Sequence, residues 1–362
     1  MGGLSSAWSC ILASYAIGCM TMQNVRKIGI IGASGFAGSE VLRLAVGHPG
    51  VEVVWATGNS EAGTAIGDLY PSLAAAYGDA RFATFDASML SEVDTVILGL
   101  PHGASQALVP ALVDNVEFVI DLAADFRLRD PDQYTTWYGE PHTAPELLER
   151  FTYGLPELYR DELRSARFVA APGCYPTTAI VGLAPVVAAG LIEPRGVIVD
   201  AASGVSGAGR PPKPNTTFCQ VDEDFTAYGL MNHRHTPEME AHTGASLLFT
   251  PHLAPMNRGI LATIYGRATA GTSTETVMEV LRDAYADSPF VVVSDRIPST
   301  KATQGSNTAH LTGRYDERTD TVIVLSALDN LVKGTAGQAL QCLNLMAGFD
   351  ETLGLPRVGL TP

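Results

Sequence analysis

The chain has 362 residues, 46% hydrophobic and 17% charged, with a formal net charge of −15. That length accommodates two domains, and the hydrophobic fraction supports a large core, which excludes a disordered or fibrous chain. The acidic balance argues against nucleic acid or an anionic membrane as a partner, although a local cation can still select an anionic substrate. The five cysteines, Cys10, Cys19, Cys174, Cys219 and Cys342, are scattered and form no Cys-x-x-Cys pair. This points to a reducing, cytoplasmic setting, with no disulfide framework, zinc site or other metal expected. Residues 1–22 are mildly apolar but lack the basic start of a secretory signal and the length of a membrane span. They read as an extension outside the fold.

The first strong element spans Val25 to Pro49. Lys27 to Ile31 reads as a buried strand, Gly32, Gly35 and Gly38 form G-x-x-G-x-x-G, and Phe36 to Val46 carries apolar residues at helical spacing. A second buried strand follows at Val51 to Ala56. Strand, glycine turn, helix and strand make the first unit of a dinucleotide-binding fold, with the pyrophosphate lying on the helix N-terminus. NAD binders place a carboxylate at the end of the second strand to bond the ribose 2′-hydroxyl. Here that place reads Ala56-Thr57-Gly58-Asn59-Ser60. With no carboxylate there and with Asn59 and Ser60 as donors, NADP is expected rather than NAD. Asp94 to Leu100 and Phe118 to Leu122 read as further strands, separated by a helix over Ala104 to Val113. His102 either touches the cofactor or caps its turn. Arg129 to Gly139 reads as an irregular aromatic excursion, a binding loop or an oligomer contact, and Glu157 as a surface carboxylate.

The stretch Phe168 to Gly190 holds the chemistry. An apolar strand meets Pro172-Gly173, Cys174 follows, and a helix opens near Pro176 with Thr177 and Thr178 able to cap it. Unpaired N–H groups and the helix dipole there favour a thiolate and lower its pKa. A thiolate is the nucleophilic form, whereas a buried Cys used as a small apolar residue is the plain alternative.

Beyond it, Gly196 to Ala202 reads as a strand entering the glycine-rich loop Ser203 to Arg210, whose N–H groups can cradle an anion or the nicotinamide end of a cofactor. Asn232 to Glu240 is the densest titratable cluster. Its two histidines have the wrong spacing for a metal pair and suit acid/base work with Cys174. Ser246 to Thr250, Gly259 to Ala268, Phe290 to Val293 and Thr321 to Leu328 read as strands, Thr272 with Glu275 as a capping box, and a final helix runs to Ala347. The fold class is therefore α/β: a Rossmann-type dinucleotide-binding domain plus an α+β domain with a mixed, largely antiparallel sheet.

Taken together, GASGFAG (Gly32–Gly38), LPHGAS (Leu100–Ser105), AADFRL (Ala123–Leu128), APGCYPT (Ala171–Thr177), SGVSGAGR (Ser203–Arg210), HRHTPE (His233–Glu238), HLAPMNRG (His252–Gly259) and DNLVKGTAGQA (Asp329–Ala339) resemble the N-acetyl-γ-glutamyl-phosphate reductases of arginine biosynthesis. The chain is more distantly similar to aspartate-semialdehyde and glyceraldehyde-3-phosphate dehydrogenases. The resemblance covers Val25 to the C-terminus, and the only departure within the motifs is Phe36 where Tyr is common. It implies a discontinuous NADP-binding domain (23–170 and 331–362), a catalytic and dimerisation domain (171–330), and a homodimer or homotetramer. It implies Cys174 as nucleophile and His233, with His235 as second choice, as acid/base. Cofactor contacts are expected at Gly32, Ser34, Gly35, Phe36, Ala37, Gly38, Asn59, Ser60, Leu100, Pro101, Ser203, Gly204 and Asn330. Arg127, Arg210, Arg234, His235 and Arg258 are the candidates for the substrate. The implied reaction is NADPH-dependent reduction of an acyl phosphate to a semialdehyde through a Cys174 thioester, releasing inorganic phosphate. Alternatives are a sister reductase for aminoadipyl or aspartyl phosphate, a non-catalytic NADP-binding regulator, and a cysteine hydrolase.

Overall fold

The computed structural model describes residues 25–360, so the 1–22 extension, with Cys10 and Cys19, lies outside the described residues. The first sheet is built from β1 (Arg26–Ile31), β2 (Val51–Ala56), β3 (Thr95–Leu98), β4 (Phe118–Asp121), β5 (Thr152–Tyr153) and β6 (Phe168–Ala170). Its order is β2-β1-β3-β4-β6-β5 and every pairing is parallel. β3, β4 and β6 are buried along their whole length, as strands covered by helices on both faces must be. Helix α1 (Phe36–Ala45) follows β1, α2 (Ser105–Leu112) follows β3, and α3 (Pro156–Ser165) leads into β6.

Helix α4 (Cys174–Ala188) carries the chain into the second sheet. That sheet comprises β7 (Arg195–Gly204), β8 (Thr226–Ala227), β9 (Ser246–Ala254), β10 (Ile260–Arg267), β11 (Val291–Val293), β12 (Ala309–Asp316) and β13 (Thr321–Leu328), in the order β11-β12-β13-β10-β7-β9-β8. The β7–β9 and β11–β12 pairings are parallel and the others antiparallel, which gives the mixed sheet expected from the sequence. Helices α5 (Thr236–Thr243) and α6 (Thr274–Ala284) complete this half. Ile180, Leu183, Val199, Ile264, Val277 and Val324 share its core.

After β13 the chain makes one π-helical turn, Val332–Ala336, and then α7 (Gly337–Met346). Ala339, Leu340 and Leu343 of α7 are buried in the same cluster as Ile28 and Val41 of β1 and α1. The chain thus returns to the first sheet.

Three local expectations are corrected. The cap of α6 is Ser273 with Thr276, each bonding the other's backbone N–H, while the Thr272 hydroxyl donates to the Leu191 carbonyl. Asp132–Tyr138 is a helical segment rather than an irregular excursion, packing Tyr138 against His102 in a tilted pair at 4.2 Å between ring centroids. Glu157 is not a surface carboxylate: it is buried, and its Oε1 pairs at 2.7 Å with the fully buried Lys333 Nζ. Lys333 is satisfied further by Gln341 Oε1 at 2.8 Å, as a buried cation must be.

Candidate active site

Helix α4 begins two residues earlier than the sequence suggests. Gly173 is its N-cap and Cys174 its first residue. Thr177 and Thr178 do not cap it; their hydroxyls donate back to the carbonyls of Gly173 and Cys174. The start of the helix is instead held by a buried carboxylate. Glu238, on α5, is fully buried and accepts the Gly173 N–H and the Tyr153 hydroxyl through Oε1, each at 2.8 Å. Its Oε2 faces Arg127 Nη1 at 3.4 Å. Arg127 also donates to the Ala171 and Leu122 carbonyls, so its guanidinium is fixed next to the turn that presents Cys174.

The expected lowering of the Cys174 thiol pKa is not borne out in the free protein. Burial pushes the thiol above its ordinary value, although the N–H groups at the helix start and the Arg127 charge pull the other way. Deprotonation therefore calls for a base. Both nearby histidines are neutral: burial, helped by Arg234, lowers His233 to about 4, and burial holds the His235 pKa far below the usual imidazole range. Their roles differ by tautomer. The His235 backbone N–H donates to His233 Nδ1 at 3.2 Å, so the neutral His233 carries its proton on Nε2. His235 Nε2 lies 3.5 Å from Arg127 Nη1, which can only donate, so that nitrogen is an acceptor. The His235 ring sits directly over Gly173, where an added Cβ would come 2.5 Å from Nε2.

Cys174, His233, Arg234 and His235 line one cleft of about 410 Å3 together with Trp137, Tyr175, Ser203, Lys213, Asn232 and others. Lys213 escaped the sequence reading because it sits among exposed prolines with no motif around it; the structure adds it as a second cleft cation beside Arg234. Two of the substrate-binding candidates are elsewhere. Arg258 pairs with Glu40 at 2.8 Å and Asp329 at 3.6 Å, tying α1 to the second half of the chain. Arg210 pairs with Glu61 at 2.7 Å. Arg127 touches the cleft residue His235 but is not itself among the lining side chains. From the opposite side, Gly334 of the π-helical turn packs so closely that a Cβ there would lie 2.8 Å from Cys174 Cβ.

The β1–α1 turn, where the sequence leads one to expect the dinucleotide, has the shape of a cradle. Gly32 has φ +83°, and a Cβ on it would meet the Gly99 carbonyl oxygen at 2.5 Å. A Cβ on Gly38 would meet Ala33 Cα at the same 2.5 Å. Gly35, the N-cap of α1, has no side-chain cap, so the first N–H groups of α1 remain available to a phosphate. Phe36 and Ala37 open α1, and Ser34 lies in the same turn, its carbonyl accepting the Tyr70 hydroxyl at 2.7 Å. Asn59 and Ser60 are exposed at the end of β2, and Leu100 and Pro101 follow β3. Ser203 and Gly204 end β7, beside Asn330, which accepts the Gly259 N–H at 2.7 Å and donates to the Ser206 hydroxyl at 2.9 Å. His102 does not cap its turn but pairs through Nδ1 with buried Asp125 at 2.6 Å.

Residues 27–166 match the semialdehyde dehydrogenase NAD binding domain and residues 174–330 the semialdehyde dehydrogenase dimerisation domain. Relatives named N-acetyl-gamma-glutamyl-phosphate reductase include one from Pseudomonas putida, 44% identical over 93% of this chain and 99% of its own. Another, from Desulforudis audaxviator, is 46% identical with the same coverage. Among solved structures, aspartate semialdehyde dehydrogenase II of Vibrio cholerae complexed with ASA superposes with a TM-score of 0.67 at 18% identity, covering 90% of this chain and 98% of that one. Aspartate semialdehyde dehydrogenase with NADP from Candida albicans superposes with a TM-score of 0.65 at 16% identity, covering 89% and 98%. The structural likeness shows the shared two-domain fold, and the sequence identity over nearly the whole chain shows that the protein belongs to the N-acetyl-gamma-glutamyl-phosphate reductase family.

Proposed function

We propose that the chain is an NADPH-dependent reductase that converts N-acetyl-γ-glutamyl phosphate to its semialdehyde, the reductive step of arginine biosynthesis its relatives are named for. One observation carries the reading: Cys174 opens a helix whose N-cap, Gly173, lies under the neutral His235 imidazole, with the Arg127 guanidinium fixed on the Ala171 carbonyl just before it and Cys174 and His235 lining the same cleft. The cleft in front of it holds the two cations Lys213 and Arg234, which suit an anionic acyl phosphate.

His235 Nε2 releases the long Arg127 N–H contact, which Glu238 Oε2 still accepts, and takes the thiol proton, exchanging the roles expected from sequence for His233 and His235. Arg127 and the α4 N–H groups stabilise the thiolate, which attacks the acyl carbon and expels phosphate. His235 passes its proton to that phosphate, leaving a Cys174 thioester. When bound, NADPH supplies the hydride that reduces the thioester to the aldehyde. Sulfur departs as the carbonyl forms, and His235 returns a solvent proton to it, so one proton is consumed per turnover. His233 Nε2–H, with Arg234 and Lys213, donates to the substrate's anionic groups. Glu238 keeps Gly173 and Arg127 in register. The glycine cradle of Gly32 and Gly38, with the open start of α1, fits a dinucleotide pyrophosphate.

The reading includes a cytoplasmic enzyme; among the described residues no helix is long and apolar enough to cross a membrane. It also includes a homodimer or homotetramer built through the second sheet, where Ile198 and Leu248 stand exposed. The test runs the reaction backwards, with phosphate and NADP, on N-acetylglutamate, aminoadipate and aspartate semialdehydes in parallel. The first is expected to be turned over fastest and Cys174→Ala to abolish the activity while NADPH still binds; preference for another semialdehyde, or substantial turnover by Cys174→Ala, overturns the reading.

A further inference from the structure

Arg210 and Glu61 form an ion pair at 2.7 Å between parts of the chain 149 positions apart. Arg210 follows β7 and its glycine-rich loop, past Gly209 with φ +89°, whereas Glu61 stands just beyond the end of β2. The mouth of the dinucleotide cradle lies close by. A Cβ on Gly58 would sit 2.9 Å from Ser34 Cβ, so the turn after β2 rests on the glycine turn. Tyr70, whose hydroxyl donates to the Ser34 carbonyl, feels the charges of both Arg210 and Glu61. A guanidinium from the second half of the chain is therefore suspended over the place where the first half receives a dinucleotide.

Arg258, another cation that reaches from the second half to the first, is built differently. It lies between two carboxylates, Glu40 and Asp329, both almost wholly buried, so its departure would break two buried ion pairs at once. Arg210 has one carboxylate partner, and the two side chains keep 26% and 23% of their surface exposed. Such a pair is weak and exchangeable, and a phosphate dianion offers a guanidinium a stronger, bidentate partner than a half-hydrated carboxylate does.

We infer that Arg210 is a ligand for a phosphate group of the dinucleotide and that Glu61 holds it in the free protein, giving it up when the cofactor arrives. The inference rests on the NADP reading above. It also bears on charge: the cofactor brings several negative charges to a protein of net charge −15, and the exchange sets a cation directly on one of them while the displaced Glu61 charge is met by solvent. Glu61 is then the competitor that the cofactor must displace from Arg210, and at 23% exposure its carboxylate is left to solvent once the guanidinium has moved.

The test is calorimetric titration, without substrate, of the unaltered protein, Arg210→Ala and Glu61→Gln with NADPH and with NADH. Arg210→Ala is expected to weaken NADPH about tenfold or more. Glu61→Gln is expected to tighten it severalfold, because the competitor is gone. A loss confined to NADPH assigns the 2′-phosphate as the group held; an equal loss for both cofactors assigns the pyrophosphate. Affinities of Arg210→Ala within twofold of the original for both cofactors, or weaker NADPH binding by Glu61→Gln, would overturn the inference. Failure of the unaltered protein to bind NADPH would instead remove the reading on which it rests.

Discussion

Gly173→Ala isolates the geometry on which the proposed proton transfer depends. Gly173 has φ −66° and ψ 154°, a conformation alanine adopts freely, so the substitution adds no backbone strain. It also keeps the N–H that Glu238 accepts. Its whole effect is steric: the new Cβ would lie 2.5 Å from His235 Nε2, 2.8 Å from Cε1 and 2.9 Å from Cδ2. Ordinary contact needs roughly 3.5 Å, so the ring must move by about 1 Å. It is buried, with Tyr175 and His233 packed against it, and has little room to do so. A displacement of that size between reacting groups costs about 100-fold in rate, and overpacking destabilises by about 1–3 kcal/mol. The assay is kcat for phosphate-dependent NADP reduction, with NADPH affinity and thermal unfolding as controls. A fall in kcat of about two orders of magnitude with unchanged NADPH binding is expected. A kcat within threefold of the original would refute the assignment of His235.

The glycine cradle makes a paired forecast. Gly35→Ala meets only the Gly32 carbonyl at 3.5 Å and should fold normally while weakening NADPH, because its Cβ stands where the backbone approaches the pyrophosphate, whereas Gly38→Ala drives a Cβ to 2.5 Å from Ala33 Cα and should lose folding as well, as thermal unfolding beside fluorescence titration would reveal. Lys333→Met leaves Glu157 buried and unpaired, and should lower stability by about 3–5 kcal/mol in denaturant unfolding. His233, at about 4 when folded against an ordinary 6.5, makes stability pH-dependent. The unfolded chain takes up that proton first as pH falls, so the contribution is complete above pH 6.5 and is lost between 6.5 and 4, at about 3 kcal/mol in all. His233→Asn should flatten the dependence of unfolding free energy on pH over that range, and an unchanged slope would contradict the burial of a neutral ring.

What could be read from the sequence was local. The strand–glycine–helix unit around Gly32 and the Pro-Gly-Cys turn before α4 announce themselves because a few adjacent residues fix both conformation and chemistry. The second-half strands were legible from apolar runs such as Thr321–Leu328. What was hidden depends on partners distant along the chain. Glu238 meets Tyr153 and Gly173 across 85 and 65 positions, and Lys333 meets Glu157 across 176. Nothing near Glu157 distinguishes it from a solvated carboxylate. The pKa of Cys174 misled for the same reason: the helix start is visible in sequence, whereas the burial that outweighs it comes from packing, including the π-helical turn that brings Gly334 against its Cβ. Arg127, Arg210, Arg234 and Arg258 look alike in sequence; the carboxylate partners of Arg127, Arg210 and Arg258, and the place of Arg234 in the cleft, sort them.

The covalent role of Cys174 is the central claim, and mixing the enzyme with N-acetyl-γ-glutamyl phosphate in the absence of NADPH tests it most directly. A burst of about one phosphate per active site is predicted, together with a mass increase of one N-acetylglutamyl group on the peptide carrying Cys174, both lost in Cys174→Ala. Phosphate release with no burst and an unmodified Cys174 peptide would contradict it.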